Sequence, residues 1–303
     1  MKIEEDALKL LFHYPFNRKK ICNFKGQRGL EFIHKLIRMK KRASLALLSF
    51  ILLSFCFAQD QHATITQAAA NAVNPLAQVI KFQMQPNYSI FHGDGQQINL
   101  VTRIITPYHG ILLPFFKPKN EKIFSMARLE VPILSQTYDS LSSLNATGLG
   151  DITLSEVLAV KTSWGKIGAG PALGFPAATS PVLGSGKWTA GLVGMIMYTK
   201  KHNFMAGIVL QQFFTYAGSP SRPPSNYMTA QPFIYVIFTK GYFIMINPIC
   251  TFDWQKGNYT IPLALGFGKA FAKNVSAYIM PEYIVSGLNK KSFVIQFNLN
   301  TMF

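Results

Sequence analysis

The last twelve residues read Ser292-Phe293-Val294-Ile295-Gln296-Phe297-Asn298-Leu299-Asn300-Thr301-Met302-Phe303. Phe293, Ile295, Phe297, Leu299, Thr301 and Phe303 share one parity, and Ser292, Val294, Gln296, Asn298, Asn300 and Met302 the other. Successive side chains of a strand point to opposite faces, so the segment has one apolar face and one largely polar face. A strand between lipid and a wet lumen carries this pattern. It closes on Phe303, the kind of terminal residue by which the barrel-assembly machinery commonly receives its substrates.

Working back from this end, the same period recurs. Ile80, Phe82, Met84, Pro86 and Tyr88 oppose Lys81, Gln83, Gln85, Asn87 and Ser89; Tyr259, Ile261, Leu263, Leu265 and Phe267 oppose Thr260, Pro262, Ala264, Gly266 and Gly268, small residues that leave room inside. Segments about ten residues long, set apart by turn residues, predict strands over 79–90, 97–106, 123–134, 149–161, 165–175, 187–199, 203–215, 228–238, 241–252, 258–268, 274–285 and 292–303. These make an all-β, transmembrane antiparallel barrel of about twelve strands, with ten or fourteen as alternatives and a short N-terminal leader helix or plug. An even number places both strand termini on the periplasmic side. Inner turns then fall at 200–202, 239–240 and 268–273, and long outer loops at 135–148, 176–186 and 216–227. The long connection 107–122 falls on the inner side, against the rule that inner turns are short.

Composition agrees: of 303 residues 49% are hydrophobic and 14% charged, a balance that suits lipid better than water. No apolar stretch of the roughly 18 residues that a spanning helix needs follows residue 60. The longest apolar stretch, 43–58, follows Met39-Lys40-Lys41-Arg42 and ends at Cys56-Phe57-Ala58, the layout of a secretory signal cleaved after Ala58. Acylation of Cys56 is the weaker alternative, since bulky Phe55 stands where a small residue is wanted. The expected division is therefore 1–38, an extension from a start called too early; 39–58, the signal peptide; 59–76, a periplasmic leader or plug; and 77–303, the barrel. Residues 59–303 hold 18 Lys and Arg against 9 Asp and Glu. They lack a Lys/Arg-rich run, so no nucleic-acid partner is expected. Of the three cysteines only Cys250 follows residue 58, which excludes an intrachain disulfide in that part.

Catalytic chemistry finds little support. His62, His92, His109 and His202 share no strand, and no Ser/His pair has a suggestive spacing. Carboxylates are scattered, so no metal site and no cofactor are expected; Gly93-Asp94-Gly95 reads as a tight turn rather than a cation loop. More informative are seven charges that the alternation turns inward: Lys81, Arg103, Arg128, Glu130, Asp151, Glu156 and Glu282. Such ions need water, a partner or a solute. They read either as a salt-bridge network holding the lumen or as a constriction that selects solutes, and the two are compatible. Phe243 and Met245 could close the lumen. Ten lysines (117, 119, 122, 161, 166, 200, 201, 240, 269 and 273) fall on or near the predicted inner rim, against Lys187, Arg222, Lys256, Lys290 and Lys291 outside. Trp164, Trp188, Tyr198, Tyr216, Tyr227, Tyr242 and Trp254 suit interfacial girdles.

Asn74-Pro75-Leu76-Ala77, Gly148-Leu149-Gly150-Asp151, Gly168-Ala169-Gly170-Pro171-Ala172-Leu173, Phe175-Pro176-Ala177-Ala178-Thr179 and Leu183-Gly184-Ser185-Gly186-Lys187-Trp188, in this order, resemble a family of bacterial outer-membrane transporter-like barrels. Some of its members carry the misleading label neuromedin U, and it is related to the MetA-pathway-of-phenol-degradation proteins. The likeness runs on through Gln231-Pro232 and Thr251-Phe252-Asp253-Trp254 and spans 74–303. It implies an outer-membrane barrel passing small solutes, hydrophobic or aromatic ones included, with no catalytic residues. The chain is thus expected in the Gram-negative outer membrane, against lipid and lipopolysaccharide, with the leader 62–74 as a lumenal plug. A non-transporting surface protein that binds through its outer loops is the alternative, and an outer-membrane enzyme the more distant one.

Overall fold

The structure, a computed structural model, describes residues 62–91, 95–108, 110–113, 122–138, 145–287 and 291–303. The extension, the signal sequence with its cleavage site, and most of the Gly93-Asp94-Gly95 turn lie outside these residues. The first described element is helix α1, His62–Val73. Then come β1 Lys81–Phe91, β2 Gln96–Thr106, β3 Ile123–Tyr138, β4 Ile152–Lys161, β5 Gly165–Phe175, β6 Lys187–Lys201, β7 Phe204–Gly218 and β8 Asn226–Ile237. Strand β9 runs in two pieces, Tyr242–Ile246 and Cys250–Asp253, and β10 in two, Asn258–Ala264 and Gly266–Ala272; β11 is Val275–Gly287 and β12 Lys291–Met302. A short piece, Ala146–Gly148, pairs with β3 ahead of β4.

Each strand pairs antiparallel with its sequence neighbours, and β1 pairs with β12 from Lys81↔Met302 to Phe91↔Lys291, which closes a twelve-stranded barrel. Closure leaves no free sheet edge, the condition a sheet must meet to cross lipid. No helix among the described residues is long and apolar enough to cross a membrane. Outside, Leu192, Leu263, Leu265, Phe267 and Phe297 stand exposed, Leu192 to 69% and Leu263 to 64%. An apolar band of this extent on a closed barrel is a lipid-facing surface, not one built for water.

The predicted elements need several corrections. The stretch 241–252 is interrupted at Asn247-Pro248-Ile249, where Pro248 has no N–H to give the ladder. The stretch 258–268 breaks at Leu265 but resumes to Ala272, so its inner turn is Lys273-Asn274 rather than 268–273. Strand β3 runs on to Tyr138, four residues beyond its predicted end, and β6 to Lys201, which reduces the 200–202 turn to His202-Asn203. The room expected beside Gly266 and Gly268 is filled: a Cβ on Gly268 would lie 2.3 Å from the Phe243 ring and one on Gly266 2.6 Å from Met245. Small residues on β10 thus admit large ones from β9. Strands β2 and β3 pair directly, so the connection 107–122 inserts no strand between them.

Helix α1 packs against the barrel interior near the β8–β9 turn. Ala68, Ala69, Ala72 and Val73 are buried in one apolar cluster with Phe124, Met197, Phe233, Phe243 and Met245. Small alanines let the helix approach the wall closely. The turn makes room in the same way: Gly241 has φ +78°, and a Cβ there would lie 2.5 Å from Ile65 Cγ2.

Candidate lumenal site

Cross-strand register assembles the site. Gln83 lies opposite Arg103, and Arg103 opposite Glu130, while Arg128 stands one inward position further along β3. Arg103 Nε donates to Glu130 Oε2 at 2.5 Å, and Arg128 Nη2 donates to the same oxygen at 3.1 Å. The other arm of Arg103, Nη1, donates to Gln85 Oε1 at 2.5 Å. Gln85 Nε2 passes the polarity on to Gln296 Oε1 at 2.9 Å, and Gln296 Nε2 to Glu282 Oε1 at 2.5 Å. One directed hydrogen-bond belt therefore crosses β3, β2, β1, β12 and β11. Each charge on it has a hydrogen-bonded partner, as charges withdrawn from bulk water require.

About six strands round the barrel the wall changes character. Val209 on β7, Phe233 and Tyr235 on β8 and Met245 on β9 are buried, and the Phe233 and Tyr235 rings stack at 5.2 Å. Gln231 on β8 bonds Asn247 at 2.9 Å above them. Between the two walls lies a cavity of about 140 Å³, floored by Ala72, Val73, Pro75 and Leu76 at the end of α1.

That floor is pinned by two lysines. Lys81 Nζ donates to the carbonyls of Asn71 at 3.0 Å and Asn74 at 2.5 Å, and Lys166 Nζ to that of Leu76 at 2.8 Å. A helix leaves its last carbonyls without intrahelical partners and its C-terminus partly negative, so ammonium groups are suited to this end. Lys166 was expected on the inner rim; it turns inward because β5 exposes Ile167 next to it. The alternation of β5 could have shown this, since Gly168, Ala172 and Gly174 share its parity.

The seven charges expected inward thus divide. Arg103, Arg128, Glu130 and Glu282 form the belt, and Lys81 holds α1. Glu156 does not face the lumen: it shares the parity of Leu158 and exposed Val160, while Ser155, Val157 and Ala159 take the lumenal face. It is fully buried on the outer face of the sheet, where it accepts from the backbone N–H groups of Gly110, Leu112 and Leu113 and from Ser125 Oγ and so anchors the long inner connection. Asp151 does not join the belt. It precedes β4 and accepts from the Ala178 and Ser185 amides and from Ser185 Oγ, organising loop 176–186 at the outer mouth. Arg222 reinforces that loop through the carbonyls of Pro181, Gly184 and Ser185.

The girdle is also redrawn: Trp188, Tyr216, Tyr242 and Trp254 are exposed, but Tyr227 turns inward and stacks on buried Phe213 at 5.2 Å. Its parity with Phe233 and Tyr235 on β8 dictates that face. His202 lies in an inner turn, and His92 and His109 lie outside the described residues. Among the described residues no group of three His, Cys, Asp or Glu is placed to hold a metal.

The architecture can be compared with solved proteins. The COG4313 outer membrane channel from Pseudomonas putida F1 superposes with a TM-score of 0.60 at 14% identity, over 74% of this chain and 95% of that one. The described chain has the fold of an outer-membrane barrel. A NanC porin structure follows at a TM-score of 0.51 and 8% identity, over 73% of this chain and 98% of its own. No protein-family model and no curated protein sequence matches the chain.

Proposed function

We propose that this protein is a channel of the Gram-negative outer membrane that passes small solutes through the barrel lumen. The observation that carries the reading is the lumen itself: a polar, charge-bearing belt faces an apolar, aromatic wall across a cavity of about 140 Å³ inside a closed barrel. A barrel needing only a core would gain nothing from placing two arginines there, because desolvating them costs more than packing apolar side chains. The two-faced lumen suits solutes with an apolar part, the hydrophobic or aromatic compounds associated with the resembled transporter family, in which we place the chain on its 74–303 motifs. The COG4313 and NanC likenesses are compatible with this reading at the level of fold. Chemistry on the solute is not part of it: no nucleophile-base pair or metal is needed for passage, and we assign neither.

The belt of apolar side chains would meet lipid and lipopolysaccharide, and the export signal would be cut after Ala58. Phe303, 78% exposed at the end of β12, would be read by the assembly machinery. Removing it should lower the amount of barrel in outer membranes without changing the conduction of what assembles, measured by membrane fractionation.

A second reading, a non-transporting surface protein, draws on the filling of the lumen by Phe243, Met245 and α1. Osmotic swelling of proteoliposomes separates the two. Swelling in small solutes but not in large ones is the result expected of the channel; barrels that leave every solute excluded would support the surface role.

A further inference from the structure

We propose that the lumenal cavity binds amphipathic monoanions, a single carboxylate on a small apolar body, with Arg128 as the anion ligand. The inference rests on the channel reading and names the solute class of the same lumen. Charge gives the first argument. Two guanidinium groups, Arg103 and Arg128, share the one carboxylate of Glu130, which leaves one positive charge in excess. The other carboxylates do not cancel it: Glu282, at the far end of the belt, accepts from Gln296 and has Lys291 as its own counter-charge, and Glu156 lies on the other face of the sheet, on three backbone amides and Ser125. An excess charge held away from bulk water favours one counter-charge, so a monoanion suits the triad better than a dianion or a neutral solute.

Geometry gives the second. Arg103 is spent at both ends, on Glu130 and Gln85, with its side chain 13% exposed. Arg128 gives only Nη2 to Glu130 among the described hydrogen bonds, stays 32% exposed and lines the cavity. Its remaining N–H donors match the two oxygens of a carboxylate, the pairing for which a planar fork is built.

The opposing wall gives the third. Val209, Phe233, Tyr235 and Met245 carry no charge, and of the amides beside them Gln231 and Asn247 bond each other, so the part of the ligand away from Arg128 is largely apolar, which disfavours a sugar acid needing polar contacts all round. Size sets the limit, because a cavity of about 150 Å³ accepts benzene and this one measures about 140 Å³. One aromatic ring or a short alkyl chain fits.

The test uses full-length protein purified from outer membranes, with benzoate, benzyl alcohol and benzylammonium as probes of equal size and different charge. Calorimetric titration in detergent should show benzoate binding about tenfold or more tighter than either of the others, the scale of one charge-assisted hydrogen-bonded pair. Arg128→Gln should remove that preference, and Arg128→Lys should retain only part of it because the charge remains and the fork is lost. If Arg128→Gln yields no folded barrel, Glu130→Gln takes its place: with a second excess charge it should bind benzoate more tightly. Equal binding of benzoate and benzyl alcohol, or an Arg128→Gln barrel that keeps the preference, overturns the proposal. Ion current through planar bilayers is recorded on the same preparations. Selective binding without current would refute the channel and leave the monoanion site standing; current without selective binding would do the reverse.

Discussion

At the scale of single residues, parity decided most of what could be read. Lys81, Arg103, Arg128, Glu130 and Glu282 turn inward as the two-residue period of their strands requires, whereas Glu156 has the outward parity of Leu158 and Val160; the partners of all six could not be read from the same pattern. Glu156 shows why. Its donors at Gly110, Leu112 and Leu113 belong to an irregular connection more than forty residues away, whose path no periodicity predicts. Glu156→Gln, which replaces a charged acceptor with a weaker one, should loosen that connection and destabilise the barrel by about 1–3 kcal/mol. Limited proteolysis within 107–122 should accelerate relative to wild type; an unchanged cleavage rate would mean the carboxylate does not hold the loop. Asp151 failed to follow the pattern for a local reason. It sits before β4 begins, where the alternation does not apply, and the Gly184-Ser185 turn closes on it.

At the scale of elements, the helix is the part that the sequence outlined least completely. An Ala-rich leader suggested a plug, but its fastening depends on Lys81 and Lys166, separated by 85 positions and brought together only by the curvature of the sheet. Two consequences belong here. Deleting 62–74 should raise single-channel conductance several-fold, because the floor of the cavity goes with it; unchanged conductance would show that α1 does not limit the path. Replacing both lysines with Met keeps their apolar stems and removes three hydrogen bonds to the helix end. That double variant should conduct with frequent openings to a larger level, and traces as quiet as wild type would count against the latch. Strand limits were legible to within a few residues, with β3 and β6 running on past their predicted ends, and the breaks inside strands fell near proline and glycine. Pro248 splits β9, and the glycines of β10 let β9 side chains take space that the sequence pattern read as empty.

At the scale of the whole molecule, alternating apolar and polar positions in segments about ten residues long were enough to specify a membrane barrel, because a closed sheet in lipid permits few other arrangements. The contents of its lumen were less accessible, since they depend on which inward side chains meet across the barrel. The most direct test is single-channel recording in a planar bilayer of full-length protein purified from outer membranes, with a gel shift between unheated and boiled samples to establish that the barrel is folded. The account predicts a heat-modifiable band and discrete, reproducible current steps smaller than those of wide-open porins. A band that shifts on boiling but a bilayer that stays silent, both for the intact chain and after removal of 62–74, would contradict it.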